Sequence, residues 1–326
     1  KIMKRFGILS IFCFFACAAA AQVSVLSLTS EDMHTRKEDF WHTFEYYAVA
    51  PDGKTSKCQA TRVGKKWFAT AAHCVAVPCQ NGCTLRIDLL EQPYSVFASV
   101  KHTEKKPLVF VHPQYDEGEP VAHDFALMKI DLDRADARYY RRPQGKETQN
   151  VAVSKREFDS FLRSNAEARR ELEQALRPEL PPLLTFGDTD GRLNRELSVI
   201  SIFNGKRQIL HNPHPTDYVR QLGFAYTQNF GVREGMSGSG VMTNTGELAG
   251  IISAYLGISI AGPKASQYFM FAVFNGELTE FMENVMGSDY YKLDRRAASD
   301  GYLKKSNTDH GDIVAAVQVV SRPKKK

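Results

Sequence analysis

Three short segments carry the side chains of nucleophilic chemistry. Thr70-Ala71-Ala72-His73-Cys74 offers a base, His123-Asp124-Phe125-Ala126-Leu127-Met128 an acid, and Gly235-Met236-Ser237-Gly238-Ser239-Gly240 a hydroxyl set among glycines. A serine hydroxyl is a feeble nucleophile near neutral pH. It needs a base within hydrogen-bond reach and an acid that fixes the base's tautomer. The glycines suit a sharp backbone turn whose N–H groups point at a developing oxyanion. The chain order His, Asp, Ser separates this set from scaffolds that run the same chemistry in other orders. Acyl transfer is the chemistry implied, with Ser237 as nucleophile, His73 as base and Asp124 orienting it.

Rival residues are less well placed. Ser239 lies in the same turn, but Gly235 two positions before Ser237 favours the latter. Asp131 and Asp133 read as solvated charges at a strand end, and His102, His112, His123, His211 and His214 lack the alanines and cysteine that flank His73. A zinc site built from His73 and the thiols is disfavoured by an exported setting.

Together these segments resemble the chymotrypsin/trypsin-like serine peptidases, over about residues 40–286. Cys74 directly after His73, with Cys58 sixteen residues earlier, is similar to the family's first disulfide. The Asp124 segment resembles its Asn-Asp-Ile-Ala-Leu-Leu stretch. Gly-Met-Ser-Gly-Ser-Gly resembles Gly-Asp-Ser-Gly-Gly-Pro and, more closely, the Gly-Asn-Ser-Gly-Ser-Pro of bacterial glutamyl-endopeptidase-like members.

The resemblance implies an all-β fold of two antiparallel Greek-key barrels with the active site between them. It also implies a Cys58–Cys74 disulfide, leaving Cys79–Cys83 to close a small loop, and Gly235 N–H and Ser237 N–H as oxyanion donors. Ser253 matches the substrate-strand serine that touches the triad acid, and Tyr255 stands where many members keep glycine, implying a narrowed pocket. Ile252 replaces the histidine of glutamyl endopeptidases, and no acid stands near Gly231, so neither Glu nor Arg/Lys preference is supported. Met236 occupies the position where members activated by cleavage carry Asp to pair with a new N-terminus. No Arg/Lys-Ile-Val-Gly-Gly site precedes the body, so no N-terminal ion pair is expected.

Elements that could position these residues are legible along the chain. Lys1, Lys4 and Arg5, an apolar run to Phe15 and an alanine-rich end to Ala21 describe a signal peptide over 1–21, cleaved before Gln22. A lipoprotein acceptor at Cys17 is the alternative. Removal of 1–21 leaves Cys58, Cys74, Cys79 and Cys83, and an even count in an oxidising compartment favours two disulfides. Short β-rich runs broken by turns predict a first barrel over 22–140 and a second, with a terminal helix, over 183–286. Between them, 141–182 is a connector carrying a helical insertion. There Ser154-Lys155-Arg156-Glu157 is a capping box, and Phe158, Phe161, Leu162, Leu172 and Leu176 recur at helical spacing. Residues 287–326 read as a polar, basic tail, loosely docked or disordered.

Charge narrows the partners. The net +5 comes from the ends: 1–21 hold three basic residues and 287–326 nine basic against five acidic, leaving 30 and 32 for 22–286. Nothing in that body calls for nucleic acid. The expectation is a secreted or periplasmic endopeptidase, monomeric, without cofactor or metal, acting on protein or peptide and not inserted in a membrane after signal cleavage. An idle peptidase-like binding protein, and an esterase or single-target processing protease, are the alternatives.

Overall fold

A computed structural model describes residues 42–90, 92–117, 123–143, 149–177, 179–203, 205–220, 223–229, 231–258, 266–298 and 303–304, with backbone alone at 254–258, 266–267 and 304. The signal-peptide and Cys17 expectations, and any strand before residue 42, lie outside them. Among the described residues no helix is long and apolar enough to cross a membrane.

The first sheet is built from β1 (Thr43–Val49), β2 (Thr55–Gly64), β3 (Trp67–Thr70), β4 (Cys83–Asp88), β5 (Tyr94–His102), β6 (Val109–Val111), β7 (Ala126–Lys129), β8 (Asp136–Arg141) and β9 (Val151–Ala152). Its antiparallel order is β6-β7-β3-β2-β1-β4-β5-β8-β9. Period-two burial shows why these runs are strands: Cys83, Leu85 and Ile87 point inward while Thr84 and Arg86 do not. Phe44, Tyr46, Ala48 and Phe68 fill the same core. The β1–β2 turn is closed by Gly53 at φ 86° and by Asp52, whose side chain accepts from the Lys54 N–H at 3.0 Å.

The second sheet comprises β10 (Leu183–Thr185), β11 (Gly191–Leu193), β12 (Leu197–Phe203), β13 (Lys206–His211), β14 (Thr216–Val219), β15 (Phe224–Gln228), β16 (Gly240–Thr243), β17 (Leu248–Ile258), β18 (Ser266–Val273), β19 (Arg295–Ala297) and β20 (Leu303–Lys304). The order is β13-β12-β16-β17-β18-β15-β14-β11-β20. Two parallel pairings complete it, with β10 beside both β17 and β19. The two-sheet, all-β architecture with a terminal helix is the one expected.

Two departures stand out. The connector's helical stretch is two helices, α2 (Lys155–Ser164) and α3 (Ala166–Ala175), which follow the short α1 (Ala76–Cys79). Ser154 caps α2 by accepting from the Glu157 N–H, and Asn165 breaks the run and caps α3 by accepting from the Ala168 N–H at 2.9 Å. Their apolar face packs on the first sheet: Phe158, Ala168 and Ala175 join its core, and Tyr94 stacks on Phe161 at 4.4 Å. The second departure is the tail. Residues 295–297 and 303–304 extend the second sheet instead of hanging free, because β19 pairs with β10 and β20 with β11.

The terminal helix α4 (Gly276–Met286) is capped by Asn275, which accepts from the Leu278 N–H at 2.9 Å. It buries Leu278, Phe281, Met282 and Met286 in a core shared with Trp67, Phe125 and Leu127 of the first half. Phe125 meets Phe274 and Phe281 edge-on at 6.3 and 6.2 Å. The residue next to Asp124 is thereby anchored against the C-terminal helix.

Candidate active site

His73 sits in a 3-10 turn (Ala72–Cys74) just after β3. Ala71 and Ala72 beside it are fully buried, and Cys74 bonds to Cys58 of β2 with Cα atoms 6.2 Å apart. Cys79 and Cys83 form the second bridge. Both sulfurs near His73 are therefore spent in a disulfide, which removes them as thiolate ligands.

Asp124 is delivered by a strained corner immediately before β7. His123 holds φ 57°, uncommon for a residue with a Cβ, and Phe125 N donates to His123 O. The Asp124 side chain is wholly buried and both its oxygens are engaged. Oδ1 accepts from the His73 main-chain N–H at 2.8 Å. Oδ2 meets His73 Nδ1 at 2.7 Å and accepts from Ser253 Oγ at 2.7 Å. An ionised carboxylate only accepts, so the ring proton belongs on Nδ1 and the Nε2 lone pair faces outward. Tyr46, buried beneath, has its phenol pKa driven well up by burial, with the Asp124 charge adding to the rise and the hydrogen bond to Thr70 opposing it.

Ser237 Oγ lies 3.0 Å from His73 Nε2. Its loop turns through Gly235 at φ 85° and Gly238 at φ 89°. Gly238 N donates to Ile252 O and Ile252 N to Ser239 O, so the loop is pinned to β17. Among the described residues, neither Gly235 N nor Ser237 N is engaged by the protein, leaving both free for a ligand oxygen. Ser239 is instead fully buried and donates to Gln59 Oε1 at 2.9 Å.

The other expected residues sort as follows. Ser253 reaches the triad carboxylate, as above. Tyr255 pairs with Phe269 in the ladder, but its side chain, and with it the expected narrowing of the pocket, lies outside the described residues. Met236 is buried in an apolar core with Val199, Val232 and Phe271. Asp131 serves Lys66 and Arg134 at the surface. His112, His123 and Glu277 gather within 4.8 Å of one another. The two rings stack at 4.9 Å with planes 11° apart. His123 Nδ1 lies 3.5 Å from Glu277 Oε1, and His112 also packs on Phe281, so the rings are engaged in packing and a polar contact of their own. Sequence reasoning passed over Gln59, whose buried amide reaches the nucleophile loop.

The trypsin family model matches residues 41–157. That span holds His73 and Asp124 and stops short of the serine loop. Among solved structures, HL collagenase is similar at 15% identity, covering 76% of this chain and 94% of that chain with a TM-score of 0.41. GrC is similar at 14% identity, covering 76% and 95% with a TM-score of 0.40. The scabies mite inactivated protease paralogue S-I1 is similar at 12% identity, covering 76% and 95% with a TM-score of 0.41. At those values the likeness to solved structures carries no argument about activity. No curated protein matches the chain.

Proposed function

We propose that this chain is an exported serine endopeptidase of the trypsin type, cleaving peptide bonds through an acyl-enzyme. The observation that carries the reading is the continuous relay from Asp124 Oδ2 to His73 Nδ1 at 2.7 Å and from His73 Nε2 to Ser237 Oγ at 3.0 Å. His73 takes the Ser237 proton as Oγ attacks the carbonyl, and buried Asp124 stabilises the imidazolium that forms. The carbonyl oxygen becomes an oxyanion and is received by Gly235 N–H and Ser237 N–H. His73 then gives its proton to the leaving amine, and water reverses the first half to free the acid. The trypsin-model match over 41–157 supports the His73 and Asp124 assignments, while the glycine-flanked motif and the geometry support Ser237. Two disulfides fit an oxidising compartment, which supports export.

A fluorophosphonate probe tests the reading directly. Labelling should occur at Ser237 and nowhere else, followed by cleavage of internal bonds in a peptide library. A folded chain that the probe does not label would point to an idle binding protein. Labelling without any peptide cleavage would point to an esterase.

A further inference from the structure

Gln59 is placed to govern the nucleophile loop from the opposite half of the molecule. It lies on β2 beside Cys58 and is 1% exposed. Its Oε1 accepts from the Ile202 N–H at 2.8 Å and from Ser239 Oγ at 2.9 Å. Its Nε2 faces Ile202 O at 2.9 Å, Ser201 Oγ at 3.0 Å and Gly235 O at 3.0 Å. An amide nitrogen has two hydrogens, so one is shared and the group is saturated. The main chain of the same residue continues the grip: Gln59 N donates to Ser237 O at 2.8 Å. Gln59 O accepts from Thr70 Oγ1 at 2.8 Å and sits so near Gly238 that a Cβ there would fall 1.7 Å from it. Gly235, Ser237 and Ser239, alternate residues of one loop, are thus each held by one residue of the first sheet.

We propose that Gln59 is the positioning residue of the oxyanion hole. This rests on the peptidase reading above and concerns how that site is kept in working order. Gly235 must keep φ 85° for its N–H to face the reacting carbonyl, and rotation of the peptide before it would turn that N–H away. Anchoring Gly235 O on one side and Ser237 O on the other fixes the segment from which such a rotation would start. Met236 carries no charge and is buried among apolar side chains, so no ion pair at that position can orient the loop. A saturated neutral amide, present from the moment the two halves meet, holds it instead. The hole is then in place without any cleavage event.

Gln59 touches no reacting atom, so its signature is a loss confined to the chemical step. The test uses the full chain with Gln59→Leu and Gln59→Asn. Ser201→Ala is the control, because it deprives the same amide of a partner that is not in the nucleophile loop. Second-order rates of fluorophosphonate labelling, kcat and KM on the best library peptide, and melting temperature are measured for each. Losing one oxyanion donor outright costs about a hundredfold to a thousandfold. A mispositioned donor should therefore lower labelling and kcat by roughly tenfold to a hundredfold in both Gln59 variants, with KM within about twofold of the parent. Ser201→Ala should keep the parent's rates. Folded Gln59→Asn labelled at the parent rate would overturn the assignment. So would the failure of both Gln59 variants to fold, since it would make the residue a structural clamp. An unmodified chain that does not react sinks the peptidase reading itself, and is told apart by its silence in every variant.

Discussion

Replacing Asp124 by asparagine should cost far more in chemistry than in stability. The carboxylate accepts from the His73 N–H at 2.8 Å on Oδ1, and meets His73 Nδ1 and Ser253 Oγ, both at 2.7 Å, on Oδ2. An amide has one accepting oxygen. Turned toward the His73 main-chain N–H, it leaves its NH2 facing Nδ1, where two donors cannot meet. The ring must then move its proton to Nε2, which points at Ser237 Oγ, and no lone pair remains to take the hydroxyl proton. In Ser-His-Asp enzymes this tautomer error costs about ten-thousandfold in kcat, which is about 5.5 kcal/mol at 1.36 kcal/mol per tenfold. The Ser253 hydroxyl can rotate to accept from the new NH2, so the loss of stability should be limited to about 1–3 kcal/mol. The assay is the rate of fluorophosphonate labelling near neutral pH beside thermal melting, with nitrogen NMR of the ring reporting the proton on Nε2. A folded variant slowed by less than tenfold, or one that keeps its proton on Nδ1, would refute the relay.

Ser237→Ala should abolish probe labelling and leave melting nearly unchanged. Ser239→Ala should keep labelling and lose about 1 kcal/mol of stability, the worth of its buried bond to Gln59, and exchanged outcomes would overturn the assignment of the nucleophile. Alkylation of the unreduced protein should leave Cys58, Cys74, Cys79 and Cys83 unlabelled in mass spectra. Replacing Cys58 and Cys74 together, which opens a loop of 16 residues, should cost about 3 kcal/mol in denaturant melts. Burial pushes His42 and His112 down to about 4, aided by Arg62 and Arg207 at the first and by His123 at the second. Such groups bind protons more readily unfolded, so their stabilising share is complete above pH 6.5 and is lost as pH falls toward 4. By pH 5.5 each should have given up about 1.4 kcal/mol; a melt equally stable at neutral pH and pH 5.5 would contradict this.

Much of the site was legible because its signals are local. Ala71-Ala72-His73-Cys74 combines close packing, base and disulfide partner in four adjacent residues, and the glycines about Ser237 announce a turn that only they can make. Asp124 could be read from the alternating strand after it. The Gln59 clamp was not legible, since its partners Ser201, Ile202, Gly235 and Ser239 lie far along the chain and none differs in type from an ordinary strand or turn residue. Hydropathy also hid β19: Arg295, Arg296 and Ala297 are all exposed and are held in the sheet by main-chain pairing with β10, which leaves no apolar pattern. Between α2 and α3, the cap at Asn165 was present in the sequence but masked by apolar residues that keep helical spacing on both sides of it.

The late arrival of β19 and β20 sets an order for assembly. Among the described residues, every ladder of the first sheet closes within residues 43–152, so its pairing needs no later strand. The second sheet is completed only by β19 and β20, which seat on β10 and β11 more than a hundred residues earlier in the chain. Contacts at such separation are slow to form because loop closure precedes any reward. The ladders around His73 are thus local, whereas Asp124 is fully held only once Ser253 and the C-terminal helix are in place, because Ser253 Oγ donates to its Oδ2 and Phe125 packs on Phe281. On the peptidase reading proposed above, a part-made chain would hold an unfinished site, and so would have little means of digesting its neighbours or itself.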